Sequence, residues 1–226
     1  CETETGSQVI ISNPILGEFR EFVLLMHDGV RLLDKFDNLI IDPEPILVEP
    51  DEELVDFEDQ GSRGFNYRAE RFKNRLKDFN DISKVFSSRV HGDPSTPIFL
   101  AYPGDRTTIR FVFPADRARA HAFTLHGHEW LRSTEDVNSG VVSTQGQNSV
   151  GSTGNFRLEH GAGGFLQIPG DYMYRSGNIR WDIELGMWGI MRVLEELSDC
   201  LAPLEQVKIK KEDCHEDSSS SSESSF

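Results

Sequence analysis

The stretch from His121 to Trp130 is the feature that most constrains the fold of this 226-residue chain. It carries three of the seven histidines, interleaved with apolar and β-favouring side chains. In a β-strand, successive side chains point to opposite faces. The spacing therefore predicts that His126 and His128 share one face, and that His121 lies on the other face with Phe123.

Histidines in this arrangement indicate a metal site. Two imidazoles on one strand face lie roughly 6–7 Å apart, close enough to bind one ion or a small cluster. Imidazole suits copper and zinc, so a transition metal is the natural candidate. The alternative is that these are surface histidines or hydrogen-bonded core histidines, and the spacing alone leaves both open.

Further motifs follow the His-rich stretch, namely Pro169-Gly-Asp-Tyr172 and Gly186-Met-Trp-Gly189. In this order the motifs resemble those of the last cupredoxin domain of multicopper oxidases, in particular the large bacterial type that includes manganese oxidisers. The resemblance covers about residues 19–195, and its specific part lies between 83 and 194. It implies an all-β fold, a Greek-key cupredoxin β-sandwich.

The resemblance also implies copper as the cofactor. In this family the His-rich strand reads His-Pro-x-His-x-His-Gly-His; its first histidine binds the mononuclear (type 1) copper and the next two bind a trinuclear cluster. His121 matches the first and His126 the third, whereas Thr124 stands at the second. The implied metal ligands are thus His121 and His126, with His128 as the third candidate.

The closing motif of the family is largely missing. Anchoring it on Gly186-Met187 gives the residues that stand where the family has His, Cys, His and His: Ser176, Gly177, Asn178 and Asp182. A blue-copper centre needs a thiolate beside two histidines, and none of the cysteines lies in this segment. We therefore expect no type 1 copper site within this chain, and we expect Met187, at the usual axial-ligand position, to pack in the core.

Two functions follow as expectations. The first is that the chain is the C-terminal part of a multicopper-oxidase-like protein, a copper-dependent oxidoreductase, and contributes histidines to copper sites that other cupredoxin domains of the same protein complete. The chain alone is then expected to be inactive. The alternative is a degenerate cupredoxin domain with a structural or assembly role and no metal. A simple module that binds zinc or copper through His126 and His128 is a third reading.

The charge balance restricts the partners. The chain has 38 acidic and 23 basic residues, a net charge of −15, which disfavours nucleic acid and anionic membranes. No apolar run approaches the length of a membrane span. The chain begins at Cys1 without a signal-peptide pattern, so we expect a processed or excised piece of an extracytoplasmic or secreted protein. In an oxidising compartment Cys200 and Cys214 could form a disulfide.

The sequence predicts three parts. Residues 1–82 are expected to be a strand-rich linker or the end of a preceding domain, with a turn at Asp28-Gly29 and an acidic loop over 42–59. Residues 83–195 are expected to be the cupredoxin-like domain. Residues 196–226 are expected to start as a short helix and to continue as a disordered acidic, serine-rich tail.

The first prediction concerns that tail. A truncation that ends at Leu204 should keep the melting temperature of the full chain, because the composition of the removed residues cannot bury a core. Thermal unfolding of the two proteins followed by circular dichroism measures this. A large drop in melting temperature would show that the tail is docked on the domain.

Overall fold

The computed structural model describes residues 7–15, 17–30, 32–40, 62–78, 80–114 and 120–205. The acidic loop over 42–59 and the tail beyond 205 lie outside these residues. The described part is built almost entirely of short strands. In chain order they are β1 (Gln8–Asn13), β2 (Gly17–Val30), β3 (Leu32–Leu33), β4 (Leu39–Ile40), β5 (Ser62–Phe65), β6 (Ile98–Ala101), β7 (Thr107–Phe113), β8 (His121–Leu125), β9 (Trp130–Leu131), β10 (Val141–Val142), β11 (Thr144–Asn148), β12 (Ser152–Arg157), β13 (Gly170–Arg175) and β14 (Trp188–Val193).

The helical segments are short. They are α1 (Phe72–Leu76), α2 (Ser88–His91), a 3₁₀ turn (Ile82–Lys84) and a single turn of π-helix (Ile179–Ile183). Helix α1 lies where Phe72 and Leu76 have helical spacing, and both side chains are buried against Trp188 and its neighbours.

Two five-stranded sheets form the architecture. The first has the order β1-β2-β7-β12 with β5 paired to β2, and the second has the order β11-β8-β13-β14-β6. Most pairs are antiparallel, but β2–β7 and β14–β6 are parallel. Consecutive strands such as β7 and β8 lie in different sheets, so the chain crosses repeatedly from one sheet to the other. The predicted all-β, cupredoxin-like sandwich is confirmed.

Aromatic side chains form the core between the sheets. Alternate residues of β2 and β7 are buried, as are those of β8, which is the pattern of strands with one inward face. Phe22 of the first sheet stacks on Phe99 of the second, with ring centroids 4.5 Å apart. Phe111 and Phe123 also meet across the two sheets, with tilted rings and centroids 5.6 Å apart. These contacts between large apolar rings join the two sheets.

The N-terminal segment belongs to the sandwich. Strand β2 pairs with β7 from Arg20 opposite Thr107 to Leu25 opposite Val112, so part of the segment predicted as a linker lies within the first sheet. The predicted turn at Asp28-Gly29 is wrong, because β2 continues through it to Val30. The pairing of β2 with β5 is instead shifted at this point, where Gly29 has a φ of 74°.

The predicted helix after Val193 is also wrong for the residues that the structure describes. Residues 194–205 run as turns and coil along the first sheet. Their backbone is bound by side chains of the sandwich: the Tyr102 hydroxyl donates to the Leu201 carbonyl at 2.8 Å, and the Arg20 guanidinium donates to the Ala202 carbonyl at 2.7 Å. These hydrogen bonds take the place of the backbone hydrogen bonds that a helix would form. The side chain of Leu204 is buried. The predicted disorder of the later tail concerns residues outside the described part.

A close contact between β13 and β14 gives a test of the core. Gly189 lies directly opposite Tyr174, and a Cβ at Gly189 would come within 2.2 Å of the tyrosine hydroxyl. That hydroxyl is held by the Pro97 carbonyl at 2.6 Å, so the ring cannot move aside. Gly189→Ala should lower the free energy of unfolding by about 2 kcal/mol or more, as overpacked cores do, in urea denaturation. Gly140→Ala is the control, because its Cβ would meet nothing within 4 Å; equal effects of the two changes would refute the packing argument.

Candidate functional site

The ring of His121 lies inside the sandwich. Strand β8 alternates between buried and partly exposed residues, and this alternation turns His121, Phe123 and Leu125 inward, as the sequence predicts. Phe113 of the opposite sheet meets the imidazole edge to face, with centroids 5.4 Å apart. The side chain of His121 is only 4% exposed, so its polar atoms need partners within the protein.

Carboxylates occupy both ring nitrogens of His121. Nδ1 lies 3.0 Å from Oδ2 of Asp182, and Nε2 lies 3.0 Å from Oδ2 of Asp28. The Ser176 hydroxyl donates a second hydrogen bond to Asp182 at 2.6 Å. An ionised carboxylate can only accept, so each ring nitrogen must carry a proton. His121 is therefore an imidazolium held between two carboxylates.

A guanidinium completes the charge balance. Nε of Arg63 lies 2.6 Å from Oδ1 of Asp28, and Nη1 of Arg63 donates to the Trp181 carbonyl at 2.7 Å. Two cations thus face two carboxylates, and all four groups are buried. We call Asp28, Arg63, His121, Ser176 and Asp182 the His121 cluster. Its neutrality matters, because an unpaired charge at such depth costs several kcal/mol.

The surroundings of His121 raise its pKa. Burial of the ring lowers the pKa, but the hydrogen bonds from the ring to Asp182 and Asp28, together with the charges of these carboxylates, outweigh burial and raise the pKa to about 9. The imidazole therefore carries its proton throughout the neutral range.

Irregular backbone places the two carboxylates. Asp28 lies in β2 at the shift in its pairing with β5, next to Gly29 in a left-handed conformation. Asp182 lies in the turn of π-helix, a form common at functional sites. The Asn178 side chain caps that turn by accepting a hydrogen bond from the Trp181 amide at 3.1 Å.

The structure brings together residues that the resemblance assigns to the mononuclear copper position. Ser176 and Asp182, which stand where the family has histidines, both contact His121 or its partner. Met187 is fully buried in the core, and its backbone bonds to the same two residues. Gly177 stands at the thiolate position. Residues that the family motif relates to His121 are thus also close to His121 in space.

Type 1 copper does not fit this cluster. The position that would need a thiolate is a glycine, and both nitrogens of His121 are bound to carboxylates, whereas a ligating histidine must offer a free nitrogen. Within the described part of the chain, no group of three His, Cys, Asp or Glu residues has a geometry that could hold a metal ion.

His126 lies outside the strand that the sequence predicts for it. Strand β8 ends at Leu125, and His126 and Gly127 form a turn in which Gly127 has a φ of 71°. The strand alternation therefore does not extend to His126, which is exposed. Its Nε2 accepts a hydrogen bond from Nε of Arg175 at 2.8 Å. Partial burial, and then the charge of Arg175, lower the pKa of His126, so the imidazole is neutral at pH 7.

His128 is buried and bonded at both nitrogens. Nδ1 donates to the His126 carbonyl at 2.9 Å, and Nε2 accepts from the Gly163 amide at 2.9 Å. Tyr172 packs against the ring edge to face at 4.7 Å. Burial lowers the pKa of His128. His126 and His128 thus differ in exposure and do not share a strand face; their assignment as copper ligands, like that of His121, stays a prediction.

Sequence reasoning missed Asp28 and Arg63. The pair Asp28-Gly29 predicts a turn, and Arg63 carries no motif. One signal points to Asp28: this carboxylate comes two residues after the apolar run Phe22-Val-Leu-Leu-Met26, and a charge in a strand of that kind needs a buried counter-charge.

Comparisons with known proteins add little to this geometry. No family model matches the chain, and no curated protein matches it. Among solved structures, a crystal structure described as a multicopper oxidase is similar, with 15% sequence identity and a TM-score of 0.44. The similar region covers 77% of this chain and 44% of that chain, so this chain spans less than half the length of that protein.

The described residues contain no helix that is long and apolar enough to cross a membrane. Cys200 is disulfide-bonded. The other two cysteines, Cys1 and Cys214, lie outside the described residues, and so does the pairing of Cys200 with Cys214 that the sequence leaves open.

The raised pKa of His121 gives a pH test. The folded protein keeps this proton up to about pH 9, whereas the unfolded chain releases it near the ordinary value of 6.5. The stabilisation is therefore fully present below pH 6.5 and is lost as the pH rises through about 9. Between pH 6.5 and about 9, the free energy of unfolding of wild type should fall by on the order of 2–3 kcal/mol relative to that of His121→Gln. Urea unfolding at a series of pH values measures this difference.

His126→Gln is the control for this titration. The pKa of His126 is lowered, so this histidine is neutral above pH 7 in both the folded and the unfolded state. Its replacement should therefore leave the slope of unfolding free energy against pH unchanged between pH 7 and about 9. A constant difference between wild type and His121→Gln over this range would show that His121 is not held as an imidazolium.

Proposed function

We propose that this chain is a cupredoxin-like domain of a multicopper-oxidase-like protein and that it serves structure and assembly with the other cupredoxin domains of that protein. In this proposal the His121 cluster has replaced the mononuclear copper centre. The family motifs between residues 83 and 194 and the two-sheet architecture support the domain type. The bonding of both His121 nitrogens to carboxylates is the observation that carries the structural role.

An ion-pair cluster can replace a metal as a cross-link. A bound cation joins ligands from different segments, and here two protein cations do the same with two carboxylates. Asp28 comes from β2, Arg63 from β5, His121 from β8 and Asp182 from the turn of π-helix. Removing one partner of a buried ion pair costs about 3–5 kcal/mol, because the other charge is left uncompensated.

A second candidate function keeps copper and rests on His126. This histidine matches a trinuclear-cluster ligand of the family, and it is exposed with a neutral imidazole at pH 7. Exposure at the turn after β8 would let another domain complete a copper site around it. Copper would supply one-electron redox chemistry, and this chain would contribute one ligand and no thiolate. The intact protein would then be an oxidoreductase.

An extracytoplasmic or secreted location fits both candidates. Disulfides persist in oxidising compartments and are rare in the cytosol, and Cys200 is disulfide-bonded. The net charge of −15 argues against nucleic acid as a partner.

Copper titration separates the two candidates. Wild type loaded with Cu(II) should show no intense visible thiolate-to-copper band, because the described residues place no thiolate near His121. His121→Gln should lower the free energy of unfolding by about 3 kcal/mol and leave copper affinity in isothermal titration unchanged. His126→Ala should leave stability near that of wild type and remove any copper binding at the β8 turn.

Asp182→Asn distinguishes a structural histidine from a ligand, since it keeps the shape of Asp182 and weakens its hold on Nδ1. If His121 is structural, Asp182→Asn loses stability and gains no copper affinity. If His121→Gln abolishes copper binding and Asp182→Asn strengthens it, His121 is a ligand and the structural proposal is wrong.

A further inference from the structure

An open groove of about 720 Å³ lies on the outer face of the first sheet. Strand β7 and the end of β12 form its floor, and Phe165 and Gln167 line one side. Ile11 and Phe19, from β1 and β2, line the other side. The groove shares no residue with the His121 cluster.

Three arginines surround one threonine on the floor of this groove. Arg106, Thr108 and Arg110 alternate along β7 and the residue before it, so their side chains share the outer face. Arg157 lies directly opposite Thr108 in the pairing of β12 with β7. Diagonal neighbours in such a pair lie roughly 7–8 Å apart, within reach of long side chains. All four residues line the groove.

Arg110 and Arg157 differ in their partners. Nε of Arg110 pairs with Oε2 of Glu21 at 2.7 Å, and Glu159 lines the groove edge. Within the described part of the chain, the exposed guanidinium of Arg157 makes no ion pair with a carboxylate. The groove therefore offers the positive charge of Arg157 to an anion, on a chain whose net charge is −15.

Apolar side chains accompany this positive charge. Phe165 is 76% exposed at the rim, where its ring meets the His160 imidazole edge to face at 5.0 Å. Phe19 and Leu158 add further apolar surface inside the groove. Exposed aromatic and aliphatic surface next to convergent polar groups is the usual composition of a small-molecule site.

We propose that this groove, which we call the arginine groove, binds a small organic anion that carries one carboxylate or phosphate group on an apolar or ring-shaped body. The oxyanion would lie over Thr108, where Arg157 can offer two parallel N–H donors in the bidentate geometry that suits carboxylate and phosphate. The body of the ligand would lie against Phe19 and Phe165. The proposal is independent of copper and of the role of His121.

Phenyl phosphate, benzoate and inorganic phosphate are the probes for this site. Isothermal titration at low salt should show binding of phenyl phosphate or benzoate, and the tighter of the two identifies the oxyanion. Inorganic phosphate should bind more weakly, because it lacks the apolar body. Added sodium chloride should weaken binding, since the attraction is electrostatic at an open site.

Arg157→Gln should weaken the better probe about tenfold to hundredfold, the usual effect of losing hydrogen bonds from a charged group. Arg157 is exposed and outside the core, so the melting temperature should not change. Arg89→Gln removes an exposed arginine on α2, away from the groove, and should leave affinity unchanged. Wild type that binds neither phenyl phosphate nor benzoate at millimolar concentration, or Arg157→Gln that binds like wild type, would overturn the proposal.

Discussion

The ion pairs of His121 with Asp28 and Asp182 join segments that are far apart in the sequence. Each of these groups would be costly to bury alone, because an isolated charge loses its hydration. Together with Arg63 they form paired charges, so removing any one of these groups leaves the charge of its partner uncompensated. The position of β2 relative to β8, and of the turn of π-helix relative to both, depends on this mutual requirement. The contacts of the aromatic core are not directional, whereas these hydrogen bonds and ion pairs are.

The same positions bear on the resemblance to a copper domain. A blue-copper centre holds a cation among a thiolate and neutral imidazoles. Here the cations are a protonated histidine and an arginine, and the anions are carboxylates. Each of these carboxylates already faces a cation of the protein, so the cluster holds its anions without a metal. Its protonated His121 also offers no lone pair, and this is the physical reason for proposing a structural role.

The His121 cluster and the arginine groove use charge in opposite ways. In the cluster, buried cations are paired with buried carboxylates, and this pairing favours rigidity over the binding of a ligand. In the groove, Arg157 is exposed and without a carboxylate partner among the described residues, so its charge is available to an anion from solution. The cluster lies between the sheets, and the groove lies on the outer face of the first sheet.

The sequence by itself determined the inward direction of His121 and the absence of cysteine from residues 121–194. These follow from side-chain alternation and composition, which are local properties. The resemblance to a known family implied the β-sandwich and placed Ser176 and Asp182 at positions related to His121. Only the tertiary structure decided that β2 runs through Asp28 into the sandwich, that β8 ends before His126, and that the chain after Val193 is not helical. These outcomes depend on partners distant in sequence: Arg63 for Asp28, the Met173 carbonyl for the His126 amide, and Tyr102 for the segment after Val193. A long-range counter-charge or hydrogen bond leaves no periodic trace in the chain, because its partner can come from any segment that the fold brings near.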